Sequence, residues 1–380
     1  MGVHWIIITT VFMVIAQAYI FKKWGLNKIE YSRYFFDKAV FEGEETEMVE
    51  EIINKKFLPI PWLRLESKIS SNLVFKQQDS LSVVGEQFHR SFFSLMTYQK
   101  IRRRHKITCT KRGYYQLKTV SISVGDPFGI DKKSKTLHVS SNLLVYPRFL
   151  PMEEIPLPSN SWQGDILVRR WIMDDPFIFA GVREYTYGDT MKSVNWSATA
   201  RIGALQVSKK DFTADHNLMI YLNFDQTEDI WKEIEDKDMV EKGISYAASI
   251  AQYTISNGIP TGFGCNSYLD DPSERIKRIK NSVRIEGMNG NNHLTHILQT
   301  MAMLRVDRSM NFGSFLQEDV DQRRTNTDII LITAFISETI QKHIRSLEAL
   351  GNSVEIIYLT NSDQGEIMSE SQEGDYYANY

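Results

Sequence analysis

The pattern of apolar and polar positions divides the chain into three regimes. Over 3–21 almost every residue is apolar, and only His4, Thr9, Thr10 and Gln17 interrupt the run. Its length matches the ~20 residues a helix needs to cross hydrocarbon. From about residue 31 to 146 apolar and polar positions alternate with period two. The stretches 47–53, 62–69, 101–110, 114–124 and 137–146 read as strands, and Gly113, Gly125-Asp126-Pro127 and Gly129 read as turns between them. Several short strands with turn signals at this spacing predict an antiparallel β-sandwich. From His216 onward the period changes. Buried-strand runs at 218–224, 261–265, 328–335 and 354–359 alternate with helical spacing at 239–256, 293–304 and a helix capped by Ser337. Strand and helix in alternation predict an α/β doubly wound, mainly parallel sheet with helices on both faces.

At 380 residues the chain is too long for one small core. The expected organisation is a transmembrane anchor over 1–24, a β-sandwich over 28–147, a connector over 148–215, an α/β module over 216–360 and an acidic tail over 361–380. Pro147, Pro151, Pro156 and Pro158 give the start of the connector an extended character. The tail has five acids, no Lys or Arg and few apolar residues, so it is expected to stay disordered.

The apolar start has two readings. Ala16-Gln17-Ala18 would serve as a cleavage site for a signal peptide. However, no Lys or Arg precedes the run, and it exceeds the usual apolar stretch of a signal peptide, which favours an uncleaved anchor. Lys22, Lys23, Lys28, Arg33 and Lys38 all follow the span. The positive-inside rule then predicts a single-pass protein of the cell membrane with its body in the cytoplasm. The net charge of −3 gives no basic field that would draw in nucleic acid. Cys109 and Cys265 make neither a disulfide framework nor a zinc site.

The densest chemistry lies between residues 181 and 201. Arg183, Glu184, Tyr185, Gly188, Asp189, Asn195, Trp196 and Arg201 mix opposite charges with aromatics and small residues. Such a mixture is expected where ion pairs are partly desolvated, because a buried charge needs a partner. It marks either a structural network or an active site with Glu184 or Asp189 as base and an arginine holding an anionic substrate. No G-x-S-x-G, H-E-x-x-H or P-loop pattern occurs. The neighbouring arginines favour ionised carboxylates, which suits structure more than acid catalysis, so no catalytic residue is assigned. Asp225, Thr227 and Asp229 follow a buried strand, at the place where open α/β sheets bind ligands. Their oxygens offer an incomplete site for Mg²⁺ or Ca²⁺, and a helix cap at Thr227 or Asp229 explains them as well. The basic run 100–106 reads either as a solvated edge strand or as a contact for anionic lipid head groups near the anchor, with the edge strand favoured.

Arg183-Glu184-Tyr185, Gly188-Asp189, Asn195-Trp196, Ala200-Arg201 and Leu205-Gln206-Val207 together resemble the signature of the domain-of-unknown-function 58 family. Arg112-Gly113-Tyr114-Tyr115 and Asp126-Pro127-Phe128-Gly129 resemble its sandwich region. The resemblance implies a membrane-tethered, non-enzymatic adaptor or scaffold. Its C-terminal module would be similar to a von Willebrand factor A domain and its partner a MoxR-type AAA+ ATPase. A complete metal-ion-dependent adhesion site of such a domain wants D-x-S-x-S. Here Asp225-Gln226-Thr227-Glu228-Asp229 stands instead, and Leu331-Ile332-Thr333 runs into Ala334 and Phe335 rather than an Asp. The expected cofactor set is therefore none. An unrecognised enzyme using the Arg183/Glu184/Asp189/Arg201 cluster and an extracellular adhesion-type module remain as alternatives.

Overall fold

The computed structural model describes residues 2–76, 86–126, 132–156, 174–185, 194–212, 217–228, 232–270 and 280–360. They fall into two compact units, 1–148 and 149–380. The predicted tail over 361–380 lies outside the described residues.

The first unit opens with helix α1 (Gly2–Trp24), which has no acidic residue and ends on Lys22 and Lys23. It is long and apolar enough to cross a membrane. Most of its side chains are not packed into protein: Trp5, Phe12 and Met13 are each about two-thirds exposed or more, while Phe21 near its end is buried. The helix stops at Gly25, whose N–H donates to the Phe21 carbonyl at 2.7 Å. Lysines satisfy the last carbonyls, as they commonly do at helix C-termini. Lys56 Nζ donates to the Trp24 carbonyl at 2.7 Å and to the Gly25 carbonyl, and Lys133 Nζ donates to the Lys22 carbonyl at 3.2 Å.

Nine strands follow: β1 (Ile29–Phe35), β2 (Ala39–Phe41), β3 (Glu45–Asn54), β4 (Ile60–Ser70), β5 (Leu73–Phe75), β6 (Glu86–Leu95), β7 (Lys100–Cys109), β8 (Gly113–Gly125) and β9 (Lys132–Tyr146). They form one sheet ordered β1-β3-β7-β5 and a second ordered β2-β9-β8-β4-β6. All pairings are antiparallel except β2 with β9. Side chains from both sheets meet in shared clusters. Met48 and Ile107 of the first sheet pack with Ile69, Leu117 and Leu143 of the second, and Ile52 packs with Leu63, Leu65 and Ile122. The alternation read from the sequence thus becomes an inward face on each strand. The basic run 100–106 lies in β7. Among the described residues, β7 is paired along β3, but β5 reaches only its last three residues.

The second unit carries a two-stranded ribbon and an open sheet. β10 (Asp174–Glu184) pairs antiparallel with β11 (Gln206–Phe212), and helix α2 (Trp196–Ile202) sits between them in sequence. The open sheet is built from β12 (Asn217–Leu222), β13 (Thr261–Cys265), β14 (Val283–Met288), β15 (Thr327–Thr333) and β16 (Ser353–Tyr358), in the order β14-β13-β12-β15-β16. β13, β12, β15 and β16 run parallel, and β14 is antiparallel at the edge.

Four helices cover this sheet: α3 (Lys237–Ser256), α4 (Asn291–Met303), α5 (Phe312–Asp321) and α6 (Glu338–Ala349). Met219, Tyr221, Ile329 and Leu331 face α5 and α6 through Phe312, Phe315, Ile340 and Ile344. α3 lies on the opposite face. A Cβ on its Gly243 would sit 2.8 Å from Leu222 Cδ1, so glycine permits the close approach. Ser337 caps α6 by accepting from Ile340 N at 3.2 Å, as read from the sequence, and Asp236 caps α3 through Met239 N at 2.8 Å.

Candidate functional site

The signature segment spans the β10–β11 ribbon. Arg183 and Glu184 are the last residues of β10, opposite Val207 and Gln206. Tyr185 follows, half-buried, with its N–H donating to the Leu205 carbonyl at 3.0 Å. Asn195 is the N-cap of α2, its side chain accepting from Ala198 N at 3.0 Å. Gly203 closes that short helix in the left-handed region at φ 78°. Gly188 and Asp189, and the Arg183 side chain, lie outside what the structure describes. The network expected here was a buried one. That expectation needs correcting for its described members: Glu184, Trp196 and Arg201 are exposed, Trp196 by 63%. α2 is too short to bury a face of its own, and it leaves the Trp196 ring in solvent.

The carboxyl end of the open sheet is the second predicted place. Here β12, β13 and β15 end side by side, and their following residues interlock. Asn223 Nδ2 donates to Thr333 Oγ1 and to the Phe335 carbonyl, both at 3.0 Å. Asn223 Oδ1 accepts from Asp225 N at 2.8 Å. Asn266, just beyond β13, accepts from Phe224 N at 2.9 Å and donates from Nδ2 to Asp225 Oδ1 at 3.0 Å. Asp225 Oδ2 accepts from Phe312 N, the first residue of α5, at 2.7 Å. Arg308 Nη1 lies 3.8 Å from Asp225 Oδ1, and both side chains are buried. Burial pushes the Asp225 carboxyl up, while the Phe312 N–H, the Arg308 guanidinium and Asn266 pull it down; the net direction is upward.

This geometry decides the fit of the predicted metal. Both Asp225 oxygens accept protein hydrogen bonds, and an internal guanidinium stands beside one of them. A divalent cation on Asp225 would have to displace these donors and stand against Arg308, so the donor set does not fit one. Asp225 is a buried carboxylate answered by a helix N-terminus and an arginine, an environment that disfavours a divalent ligand role. Thr227 is half-buried with interactions of its own. Asp229 lies outside the described residues.

Two clusters escaped the sequence reading. In the second unit Asp319 is fully buried in the last turns of α5. Its Oδ2 accepts from Tyr221 Oη at 2.6 Å, and its Oδ1 faces Arg284 and, at 3.2 Å, Arg324 Nε. Arg324 also forks onto Glu286 at 2.8 and 3.0 Å. Its members are spread from residue 221 to 324, so no local motif announces it.

In the sandwich, Glu50 of β3 stands opposite Arg33 of β1. Its carboxylate accepts from Tyr31 Oη at 2.8 Å and Ser91 Oγ at 3.0 Å, with His105 Nε2 at 3.2 Å and His89 Nδ1 at 3.9 Å. Burial would raise the Glu50 carboxyl, but the bond from His105, the nearness of His89 and the Tyr31 hydroxyl outweigh it and hold it below the usual range. Burial pushes His89 down to about 4. Its ring stacks on Phe75 at 4.8 Å.

Glu50, His89 and His105 bring one ligand atom each to within 4.8 Å of one another, a donor set that suits zinc or iron. Charge opposes that use. Arg33 is buried at the facing position of β1, so the centre already holds one buried cation and a divalent ion would add to it. The cluster is better described as a buried polar centre joining β1, β3, β6 and β7.

Solved structures to which the chain is similar share little with it. The CARDB domain of the PF1109 protein from Pyrococcus furiosus is 13% identical, covering 31% of this chain and 97% of that one at a TM-score of 0.20. A non-cellulosomal cohesin from Archaeoglobus fulgidus is 14% identical, covering 33% of this chain and 94% of that one at 0.21. Such scores assign no fold. The "Uncharacterized protein YeaD" of Bacillus subtilis (strain 168) is 20% identical over 368 residues, 95% of this chain and 83% of that protein. Residues 181–368, which hold the ribbon, the signature and the open sheet, match the family model "Protein of unknown function DUF58".

Proposed function

We propose that this protein is a non-enzymatic, membrane-anchored adaptor that works with a MoxR-type AAA+ ATPase. Its body lies in the cytoplasm, and its C-terminal unit acts as a von Willebrand factor A-like interaction module. The observation that carries the reading is the carboxyl end of the open sheet. This is where such sheets hold ligands. Here Asn223, Asp225, Asn266 and Arg308 bond to one another and to the α5 N-terminus. A partner therefore meets the outer surface of a rigid module instead of a metal or a reactive group. The apolar helix α1, largely exposed before Phe21 and carrying Lys22 and Lys23 in its last turn, supports the anchored placement.

The test is a pull-down of the detergent-solubilised, full-length protein with and without ATP, read by mass spectrometry. Nucleotide-dependent recovery of an AAA+ ATPase is the expected result. Recovery of envelope or extracellular proteins without any ATPase would overturn both the adaptor role and the cytoplasmic placement.

A further inference from the structure

We infer that the loop end of the sandwich next to α1 is itself a membrane-docking surface, seated in the anionic interface of the bilayer that α1 crosses. This rests on the anchored reading of α1. The helix does not end on a free linker. Asn54 pairs with Ile29 at the start of β1, and Lys55 N donates to the Lys28 carbonyl at 2.9 Å. The Lys56 ammonium sits buried on the Trp24 and Gly25 carbonyls. Removal from water pulls it down to about 8. The β3–β4 loop is therefore fixed against the exit of the helix.

That loop and its neighbour carry large apolar side chains into solvent. Phe57 is 79% exposed, Met96 69% and Tyr98 68%. The β6–β7 turn is tied to the β3–β4 loop at three points. Thr97 Oγ1 donates to the Phe57 carbonyl at 2.7 Å, Tyr98 N donates to the Lys56 carbonyl at 3.3 Å, and Asn54 Nδ2 bridges the Leu58 and Met96 carbonyls at 3.0 and 2.9 Å. Tyr98 is held at φ 52°, a conformation most side chains avoid. Rigid loops that project an aromatic pair and a methionine have no reason to do so in water, where such a patch invites association. At a bilayer boundary the same residues are stabilised, as interfacial Trp and Tyr are. Trp24, half-exposed at the helix end, joins them.

Charge completes the match. Lys22, Lys23, Lys28, Lys132 and Lys133 are exposed at this end of the unit. Glu30 is also there, but it is paired with Lys55 at 2.6 Å. Basic residues at a helix exit attract anionic headgroups close to the surface. An apolar tip within a basic collar, continuous with a membrane-spanning helix, fits an anionic lipid interface better than a protein partner.

The experiment is spin-label depth measurement on the full chain, reconstituted in vesicles of phosphatidylcholine with about one-quarter phosphatidylglycerol. Cys109 and Cys265 are both buried, so labelling goes to introduced cysteines. Single variants Phe57→Cys and Tyr98→Cys probe the surface. Phe12→Cys reports α1, and Phe36→Cys, exposed at the far end of β1, is the aqueous control. The expected result is an oxygen-to-nickel-chelate accessibility ratio at 57 and 98 well above that at 36 and approaching that at 12. A lipid-like ratio at 12 with the aqueous value at 57 and 98 overturns the docking surface and leaves the anchor standing. Aqueous values at 12 and at both loop positions overturn the anchor reading and the docking surface together.

Discussion

His89 makes the sandwich acid-sensitive in a window of its own. The ring is buried, stacked on Phe75, with Nε2 unpartnered among the described residues. Burial lowers its proton affinity from the ordinary 6.5 to about 4. Between those two pH values the unfolded chain holds a proton on this imidazole that the folded chain refuses. Protonation then favours the unfolded state, so stability falls as pH falls from 6.5 towards 4 and is flat above 7. From pH 7 to pH 5 the linkage amounts to about 2 kcal/mol, or roughly a 30-fold change in the opening equilibrium. Glu50 is depressed too, but its contribution is lost as pH falls from its ordinary value of 4.5 downward, so the fall between pH 7 and pH 5 belongs to His89. Hydrogen exchange read by mass spectrometry on the full chain separates the units. After correction for intrinsic rates, protection in β3 and β7 should fall by the stated factor at pH 5, while β15 in the other unit should not follow. His89→Gln removes the titration and should flatten the response. An equal pH effect in the variant, or an equal fall in β15, would refute the assignment.

Other substitutions probe the remaining centres. Asp319→Ala leaves Arg284 and Arg324 beside an empty buried position and should cost about 3–5 kcal/mol; an unchanged denaturant midpoint for the second unit would contradict this. Asp225→Ala should cost a similar ~3–5 kcal/mol, because it removes the carboxylate beside the buried Arg308 and the acceptor of the Phe312 N–H. In the parent protein, Mg²⁺ or EDTA should leave the Tm unmoved, and a Mg²⁺-dependent rise lost in Asp225→Ala would show that Asp225 is a ligand after all. Gly125→Ala places a Cβ 1.9 Å from Trp62 Cζ2. The indole must shift, at about 1–3 kcal/mol, and Trp62 emission should change with it; unaltered fluorescence and stability would mean that the contact is looser than drawn.

What the sequence disclosed follows from how local each signal is. The strands β3, β4, β7, β8 and β9 alternate cleanly because one face is buried between two sheets, and their ends were placed to within a few residues. The long apolar runs of β12, β13 and β15 mark strands buried on both faces. Edge elements were mostly silent, β16 being the exception. β14 reads Val-Arg-Ile-Glu-Gly-Met and alternates, yet it is too short and charged to stand out from its surroundings. α5 spaces Phe312, Phe315, Leu316 and Val320 as a helix should, but it runs only ten residues with a glycine inside. The polar centres were invisible for a different reason. Glu50, His89 and His105 come from three strands, and Asp319 gathers residues from β12 and β14. Only register and strand order bring such groups together, and neither is written in a local pattern.

The same reasoning bears on which face of the second unit is available to a partner. α5 is held at both ends by buried carboxylates. Asp225 receives the N–H of Phe312 at its start, and Asp319 near its end is fixed to Tyr221, Arg284 and Arg324. Moving this helix would expose or unpair charges at both ends, at several kcal/mol each. α6 is held differently. Its buried residues are Ile340, Ile344 and Leu347, and its outward groove is lined by Glu338, Gln341, Lys342 and Arg345. Sliding packed apolar side chains leaves no charge unpaired, so α6 can adjust where α5 cannot. A module that transmits the binding of a partner needs an element of the second kind on a base of the first. In this unit α5 and the interlocked strand ends form the base, and α6 is the helix that can shift at least cost.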